Sequence, residues 1–320
     1  MEVKKIIPRG FCHGVVKAMH IVNDVISDDT MPRPIYILGQ IVHNKNITKA
    51  FSEAGVITLT GNSRKEILDQ VDRGTVIITA HGIDYHLINE AKNKGLNVVD
   101  ATCSDVYKTH HIIQEKIDMG YDIIYIGKHN HPEPEGVLGI DPHHIHLVED
   151  SEELNALVDI LANEKLCITN QTTMSMWDVN DLVKQAQALF PNLEVINEIC
   201  SATQERQEAI VKEAKDCDLC IVVGDEKSNN SHKLVSVCEE KAKTKAYLIS
   251  DITKLDINWL LNEEVNKVGV SSGASTPSVL TNQVIEFIEN FDKIDKNTHI
   301  LPELPHYSKM IPRNRKKPLK

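Results

Sequence analysis

No apolar run in this sequence is long enough to cross a bilayer, which takes roughly 20 consecutive apolar residues. The longest, such as LCIVVG at 219–224, are strand-sized. No secretory leader is expected either: MEVKKIIPRG reaches a proline and a glycine within ten residues, with no signal-peptide apolar stretch before them. A cytoplasmic protein with no membrane attachment is expected. Basic charge is also scarce. With 46 acidic against 35 basic residues the net charge is −11, and such a chain lacks the basic stripe that neutralises nucleic-acid phosphates. The exception is KMIPRNRKKPLK at 309–320, half of whose residues are Lys or Arg; it reads as a solvated tail with no assigned role. Walker A and G-x-G-x-x-G fingerprints are absent, so nucleotide motifs give no lead.

Two grounds argue against a disulfide framework. The seven cysteines, at 12, 103, 167, 200, 217, 220 and 238, are odd in number, and a cytosolic chain keeps its thiols reduced. Metal or catalytic use is the open alternative. Length and composition set no obstacle to large cores: 320 residues, 41% hydrophobic and 25% charged, allow two or three soluble domains.

What the sequence does contain is a repeat. Cys12, Cys103 and Cys200 lie 91 and 97 residues apart, each after a strand-like run and before a helix-like one. From Cys103 to Gly127, which ends IIYIG, is 24 residues, and from Cys200 to Gly224, which ends IVVG, is again 24. From Cys12 to Gly39, which ends IYILG, is 27. Four residues past each glycine stand His43, His131 and Ser228. A helix-like stretch and a second strand follow, ending in polar loops with His81, Thr172 and Ser275. Strands alternating with helices imply parallel α/β units, whose ligands gather beyond the carboxyl ends of strands. The expected architecture is α/β: three lobes related by a pseudo-threefold, at 1–102, 103–199 and 200–290, each aiming one cysteine and two polar loops at a shared centre. Residues 291–320 would be a basic tail.

Each of these cysteines sits where a helix should begin, and the exposed N–H groups and dipole there favour thiolate. Three thiolates can hold zinc with a fourth ligand, or an iron–sulfur cluster. No C-x2-C pair exists among the three, which weakens zinc. A [4Fe–4S] cluster on three cysteines leaves one iron open to substrate. Cys167, Cys217, Cys220 and Cys238 read as core or incidental thiols. The loops GQIVHN, TAHG, KHNHPEPEG, NQTTMS, KSNNSHK and SSGAST supply His, Thr, Ser and Asn donors near glycines and helix starts. That set suits a phosphate or diphosphate. In HPEPEG the prolines favour an extended chain, which would put His131, Glu133 and Glu135 on one side. A carboxylic acid there is a sensible proton donor. Gly10 and Gly14 would let backbone approach a bulky cluster.

Taken together, PRGFCHGV, GQIVHN, TAHG, DATC, HPEPEG, TNQTTMS, EICSATQERQ, VVGDEKSNNS and GAST resemble the 4-hydroxy-3-methylbut-2-enyl diphosphate reductase (LytB) family over roughly residues 3–288. The resemblance implies a three-lobed α/β trefoil around a [4Fe–4S] cluster held by Cys12, Cys103 and Cys200, its open iron taking the substrate hydroxyl. It implies reductive loss of that hydroxyl to give isopentenyl and dimethylallyl diphosphate, with electrons from an external donor such as ferredoxin or flavodoxin. His43, His81, Ser228, Asn230 and Ser275 would bind the diphosphate. His131 would bind it and assist proton delivery, Glu133 would donate the proton, and Thr172 would position the hydroxyl. Two departures stand out. Ser104 follows Cys103 where the family often has proline. Asn229 stands where many members have serine, and its amide still donates a hydrogen bond. Because a nearby anion raises a histidine pKa, at least one of His43, His81 and His131 is expected to be cationic with ligand bound. Rival readings are an iron–sulfur hydro-lyase that needs no reductant, an iron–sulfur sensor, and a zinc protein.

Overall fold

Strands and helices alternate through a computed structural model that describes residues 1–161 and 165–312. The chain starts with β1 (Glu2–Lys5) and α1 (His13–Ser27). The first lobe continues with β2 (Ile35–Leu38), α2 (Lys45–Glu53), β3 (Val56–Leu59), α3 (Arg64–Asp69), β4 (Thr75–Ile78), α4 (Tyr85–Asn93) and β5 (Asn97–Asp100). The second runs through α5 (Ser104–Asp118), β6 (Asp122–Ile126), α6 (Pro132–Leu138), β7 (Ile145–Val148), α7 (Ser151–Ala156), β8 (Leu166–Asn170), α8 (Met176–Leu189) and β9 (Glu194–Val195). The third runs through α9 (Ser201–Ala214), β10 (Leu219–Val223), α10 (Asn229–Val237), β11 (Ala246–Ile249), α11 (Ile257–Leu261), β12 (Lys267–Ser272) and α12 (Ser278–Glu289).

Three four-stranded sheets result, ordered β3-β2-β4-β5, β7-β6-β8-β9 and β11-β10-β12-β1. Every pairing is parallel. The three orders are one pattern, so the repeat read from spacing is a repeat of lobes. The pattern also corrects a boundary. The fourth strand of each sheet is the one that precedes the next cysteine: β5 before Cys103, β9 before Cys200, β1 before Cys12. No strand follows α12 among the described residues, so β1 closes the third sheet beside β12, with Glu2 opposite Lys267. Residues 1–102 therefore do not form a lobe by themselves, because their opening strand belongs to the third.

Parallel strands are covered on both faces, and side chains alternate between those faces. Strand β6 shows it: Ile124 and Ile126 enter a core with Val148, Ile168, Leu182 and Phe190. Ile123 and Tyr125 enter the opposite core with Ile113, Val137, Ile145 and Cys167. Cys167 is thus a packing thiol. By contact the chain divides into two units. One comprises residues 1–20, 42–54 and 201 onward, the other 21–41 and 55–200. The described part of the expected basic tail is not loose: Met310 is buried, and Lys49 Nζ lies 4.6 Å from the Tyr307 ring centroid. The rest of the tail, 313–320, lies outside the described residues.

Candidate active site

Each cysteine of the repeat is held the same way. The Cys103 N–H donates to the Ala80 carbonyl at 3.0 Å, Cys200 N–H to Thr172 at 3.1 Å and Cys12 N–H to Ala274 at 3.1 Å. In each lobe the acceptor lies two residues past the end of the third strand in sequence: β4, β8 or β12. Each cysteine immediately precedes its helix, α5, α9 or α1, as expected. The strand pairings also fix equivalences that spacing left one residue out. Thr172 corresponds to Ala80 and Ala274, so the partner of His81 and Ser275 is Thr173.

The seven thiols separate by environment. Cys12, Cys103 and Cys200 are half-buried, whereas Cys167, Cys217, Cys220 and Cys238 are buried. Burial pushes the Cys167 thiol up to about 12 and Cys217 up to about 11. Cys220 is raised by the hydrogen bond its thiol donates to its neighbour Cys238 and by burial. Burial thus disfavours a thiolate ligand at Cys167, Cys217 and Cys220, and Cys12, Cys103 and Cys200 are the candidates to hold a cluster.

In the second unit the candidate acid is well defined. Glu133 is 2% exposed. One carboxyl oxygen accepts the Thr172 N–H at 2.8 Å and the other accepts the Thr172 hydroxyl at 3.1 Å. Burial raises its pKa to about 7, against the lowering effect of both Thr172 bonds and of the Tyr125 hydroxyl. That hydroxyl is buried and makes no hydrogen bond of full geometry, yet lies close enough to favour the carboxylate. Glu133 is thus a carboxylic acid poised between its two forms near neutral pH, as a general acid must be.

HPEPEG is not extended. It forms the first turns of α6, with Pro132 at the first helical position and His131 as N-cap. Both prolines fall in the first turn, where the backbone N–H has no intrahelical partner to lose. The helix separates the two glutamates. Glu133 turns to Thr172, while Glu135 accepts the Arg64 N–H at 2.8 Å. His131 Nδ1 accepts the Glu133 N–H at 3.2 Å and a Gln171 amide N–H at 3.1 Å. A nitrogen that accepts holds no proton, so the His131 proton sits on Nε2. This weighs against His131 as the cationic histidine. The His81 and His131 rings meet edge-on, with centroids 5.4 Å apart. His129 is instead a surface group paired with Glu153 at 2.8 Å.

The other unit holds Cys12, His43, Ser228, Asn229, Asn230 and Ser275. Ser228 caps α10, so Asn229 and Asn230 occupy its first two positions, and all three are buried. The Ser275 hydroxyl donates to the His43 carbonyl at 3.0 Å. Asn230 Oδ1 accepts the Ala274 N–H at 3.0 Å. Asn230 is therefore the counterpart of Glu133: each stands two residues past its N-cap and accepts the N–H of the residue whose carbonyl holds a cysteine. Gly10 has a local reason of its own. Its φ is +78°, and a Cβ there would lie 2.6 Å from Ser278 Oγ. Sequence reasoning missed Gln171, Tyr125, Arg64 and Arg206. Arg206 is buried in α9 and donates 2.7 Å bonds to the carbonyls of Ala202 and Gly10, securing the strand-to-helix turn before Cys12. Gln171 and Arg206 had a visible signal, their places inside NQTTMS and EICSATQERQ.

Comparison with known proteins agrees. A model of the family described as LytB protein matches residues 3–289. The 4-hydroxy-3-methylbut-2-enyl diphosphate reductase of Geobacillus sp. (strain WCH70) is 55% identical over 298 residues, 93% of each chain. The protein of the same name from Shouchella clausii is 52% identical over 317 residues, covering 99% of this chain and all of that one. Among solved structures, the E-1-hydroxy-2-methyl-but-2-enyl-4-diphosphate reductase from Plasmodium falciparum superposes with a TM-score of 0.82 at 36% identity, covering 91% of this chain and 89% of the other. A second, (E)-4-hydroxy-3-methyl-but-2-enyl diphosphate reductase, described as the terminal enzyme of the non-mevalonate pathway, gives 0.63 at 30%, covering 91% and 99%. Fold and residue set together define a class, the three-lobed α/β reductases. Within it, the chain belongs to the LytB family, which is known to bind an iron–sulfur cluster.

Proposed function

We propose that this chain reduces 4-hydroxy-3-methylbut-2-enyl diphosphate to isopentenyl and dimethylallyl diphosphate, the last step of the non-mevalonate isoprenoid pathway. The observation that carries the reading is 55% identity across 93% of a reductase of that name. The buried acid Glu133 supports it independently, since loss of a hydroxyl as water needs a proton donor.

The chain's residues divide the work. Cys12, Cys103 and Cys200 would hold one [4Fe–4S] cluster. When bound, the cluster supplies electrons and a Lewis-acidic iron for the departing hydroxyl. Glu133 delivers the proton to the leaving oxygen, and Thr172, which holds both oxygens of that carboxyl, sets its direction. His131 presents Nε2–H as a neutral donor, because its Nδ1 is occupied. His43, His81, Ser228, Asn229, Asn230 and Ser275 offer the remaining donors for the diphosphate. Helix α10 begins at Asn229, and its N-terminal N–H groups favour an anion. Electrons arrive from an external donor such as ferredoxin or flavodoxin. No helix among the described residues is long and apolar enough to cross a membrane.

The test is anaerobic turnover of the substrate with and without a reduced donor, with iron counted and both products quantified. Reductant-dependent formation of the two diphosphates is expected. Conversion without reductant would favour a hydro-lyase and overturn the proposal.

A further inference from the structure

None of the donors assigned to the diphosphate is a Lys or Arg, and a buried guanidinium stands behind one of them. Arg64 opens α3 and is 7% exposed. Its Nη1 donates to the Leu38 carbonyl at the end of β2. Its Nη2 donates to Thr79 Oγ1 at 3.3 Å, and the same oxygen lies 3.4 Å from His81 Nδ1. The fold makes room for this cation. Gly39 has a φ of +91°, and any Cβ there would fall on the guanidinium. Glu135 fixes the start of α3 through the Arg64 N–H and adds a negative charge nearby.

A buried guanidinium whose acceptors are a carbonyl and a hydroxyl is expensive to maintain; the Glu135 charge offsets part of that cost, and an anionic ligand would offset more. With Thr79 accepting from Arg64, its own proton can be donated to His81 Nδ1, and in that tautomer the His81 proton sits on Nε2. The geometry points to Arg64 as a positioning residue for diphosphate binding: through Thr79 it fixes the tautomer and orientation of His81, and it stands as a fixed cation behind that donor. The inference rests on the reading of His81 as a diphosphate ligand.

The experiment uses the cluster-loaded enzyme under anaerobic conditions. It measures KM, kcat and the inhibition constant of inorganic pyrophosphate for Arg64→Gln, Arg64→Lys, Thr79→Val and His81→Ala. Iron content and melting temperature report folding. Arg64→Gln should raise KM and the pyrophosphate constant about tenfold or more, the scale of a lost charged hydrogen bond, with kcat within about threefold. Arg64→Lys should recover most of that binding. Thr79→Val, which keeps the cation but breaks the relay, should weaken pyrophosphate by about threefold or more. If Arg64→Gln is folded and binds pyrophosphate like wild type while His81→Ala does not, the Arg64 inference fails alone. If kcat and KM suffer alike and Lys gives no recovery, Arg64 is merely structural and the inference also fails. If Arg64→Gln does not fold, Thr79→Val decides, and unchanged binding overturns the relay. If His81→Ala binds pyrophosphate normally, the underlying reading fails and takes the inference with it.

Discussion

Replacing Glu133 with glutamine isolates the proton from the architecture. The glutamine oxygen can still accept the Thr172 N–H that now meets the carboxyl at 2.8 Å, so the peptide that holds Cys200 keeps its support. What disappears is an acid whose pKa burial has raised from 4.5 to about 7. At pH 7 such a group is about half protonated, whereas an ordinary glutamate is protonated to roughly 0.3%. The fold thus supplies roughly 10²-fold more acid than an exposed carboxyl would, within the 10²–10⁴-fold range that a general acid contributes. Turnover of Glu133→Gln should fall about 10²-fold or more with iron content unchanged. Wild-type turnover should decline as pH rises through about 7, and the variant's residual rate should lack that decline. Stability gives a second readout with a definite sign. The native state binds this proton more tightly than the unfolded chain, so its contribution is whole below 4.5, erodes as pH rises, and is gone above about 7. The difference amounts to ~3 kcal/mol. The variant should therefore gain on wild type in anaerobic melting temperature between pH 5 and 8. Near-wild-type turnover with full iron, or survival of the pH 7 decline in the variant, would refute the assignment.

Three further outcomes are expected. Cys103→Ser should lose both iron and turnover, while Cys238→Ser, at a buried position, should keep its iron; colorimetric iron counts on anaerobically purified protein separate them, and full retention in Cys103→Ser would break the three-ligand assignment. Gly39→Ala should destabilise the protein by more than about 1 kcal/mol, because φ is +91° and the new methyl meets Arg64; its melting temperature checks this. Tyr125→Phe removes a hydroxyl that favours the Glu133 carboxylate, so the pH decline in turnover should move upward from about 7.

Much of the architecture was legible because its markers are local. A glycine after a buried strand and a cysteine before a helix recur at spacings that survive insertion, so Gly127 and Gly224 could be matched without a structure. What failed was anything decided by sheet partners. Strands β4, β8 and β12 have four, five and six residues, and counting along the chain cannot tell which residue beyond each is equivalent. Thr172 was accordingly paired with His81 instead of Ala80. HPEPEG failed for a different reason. Proline breaks a helix in its interior but suits its first turn, and only the N-cap at His131 reveals which applies. Arg64 had no signal of its own, because its role depends on a glycine in another element. The correspondence of Glu133 with Asn230 was hidden because the two side chains accept equivalent backbone N–H groups but differ in chemistry.

The strand that closes the third sheet gives that lobe an unusual history. Strand β1 is made before every other strand of the three sheets, yet Glu2 finds Lys267 only after β12 has been synthesised. Until β1 docks there the β12 edge stands open, and an open strand edge is a template for wrong partners. Loop closure over such a span is slow when the intervening chain is loose, so prior folding of the first two lobes sets the pace at which the last one seals. A fault at the N-terminus is then felt elsewhere. Trimming residues 1–6, or crowding them with a bulky extension, removes an edge strand from the lobe that carries Ser228, Asn230 and Ser275, and leaves the sheet of the first lobe whole.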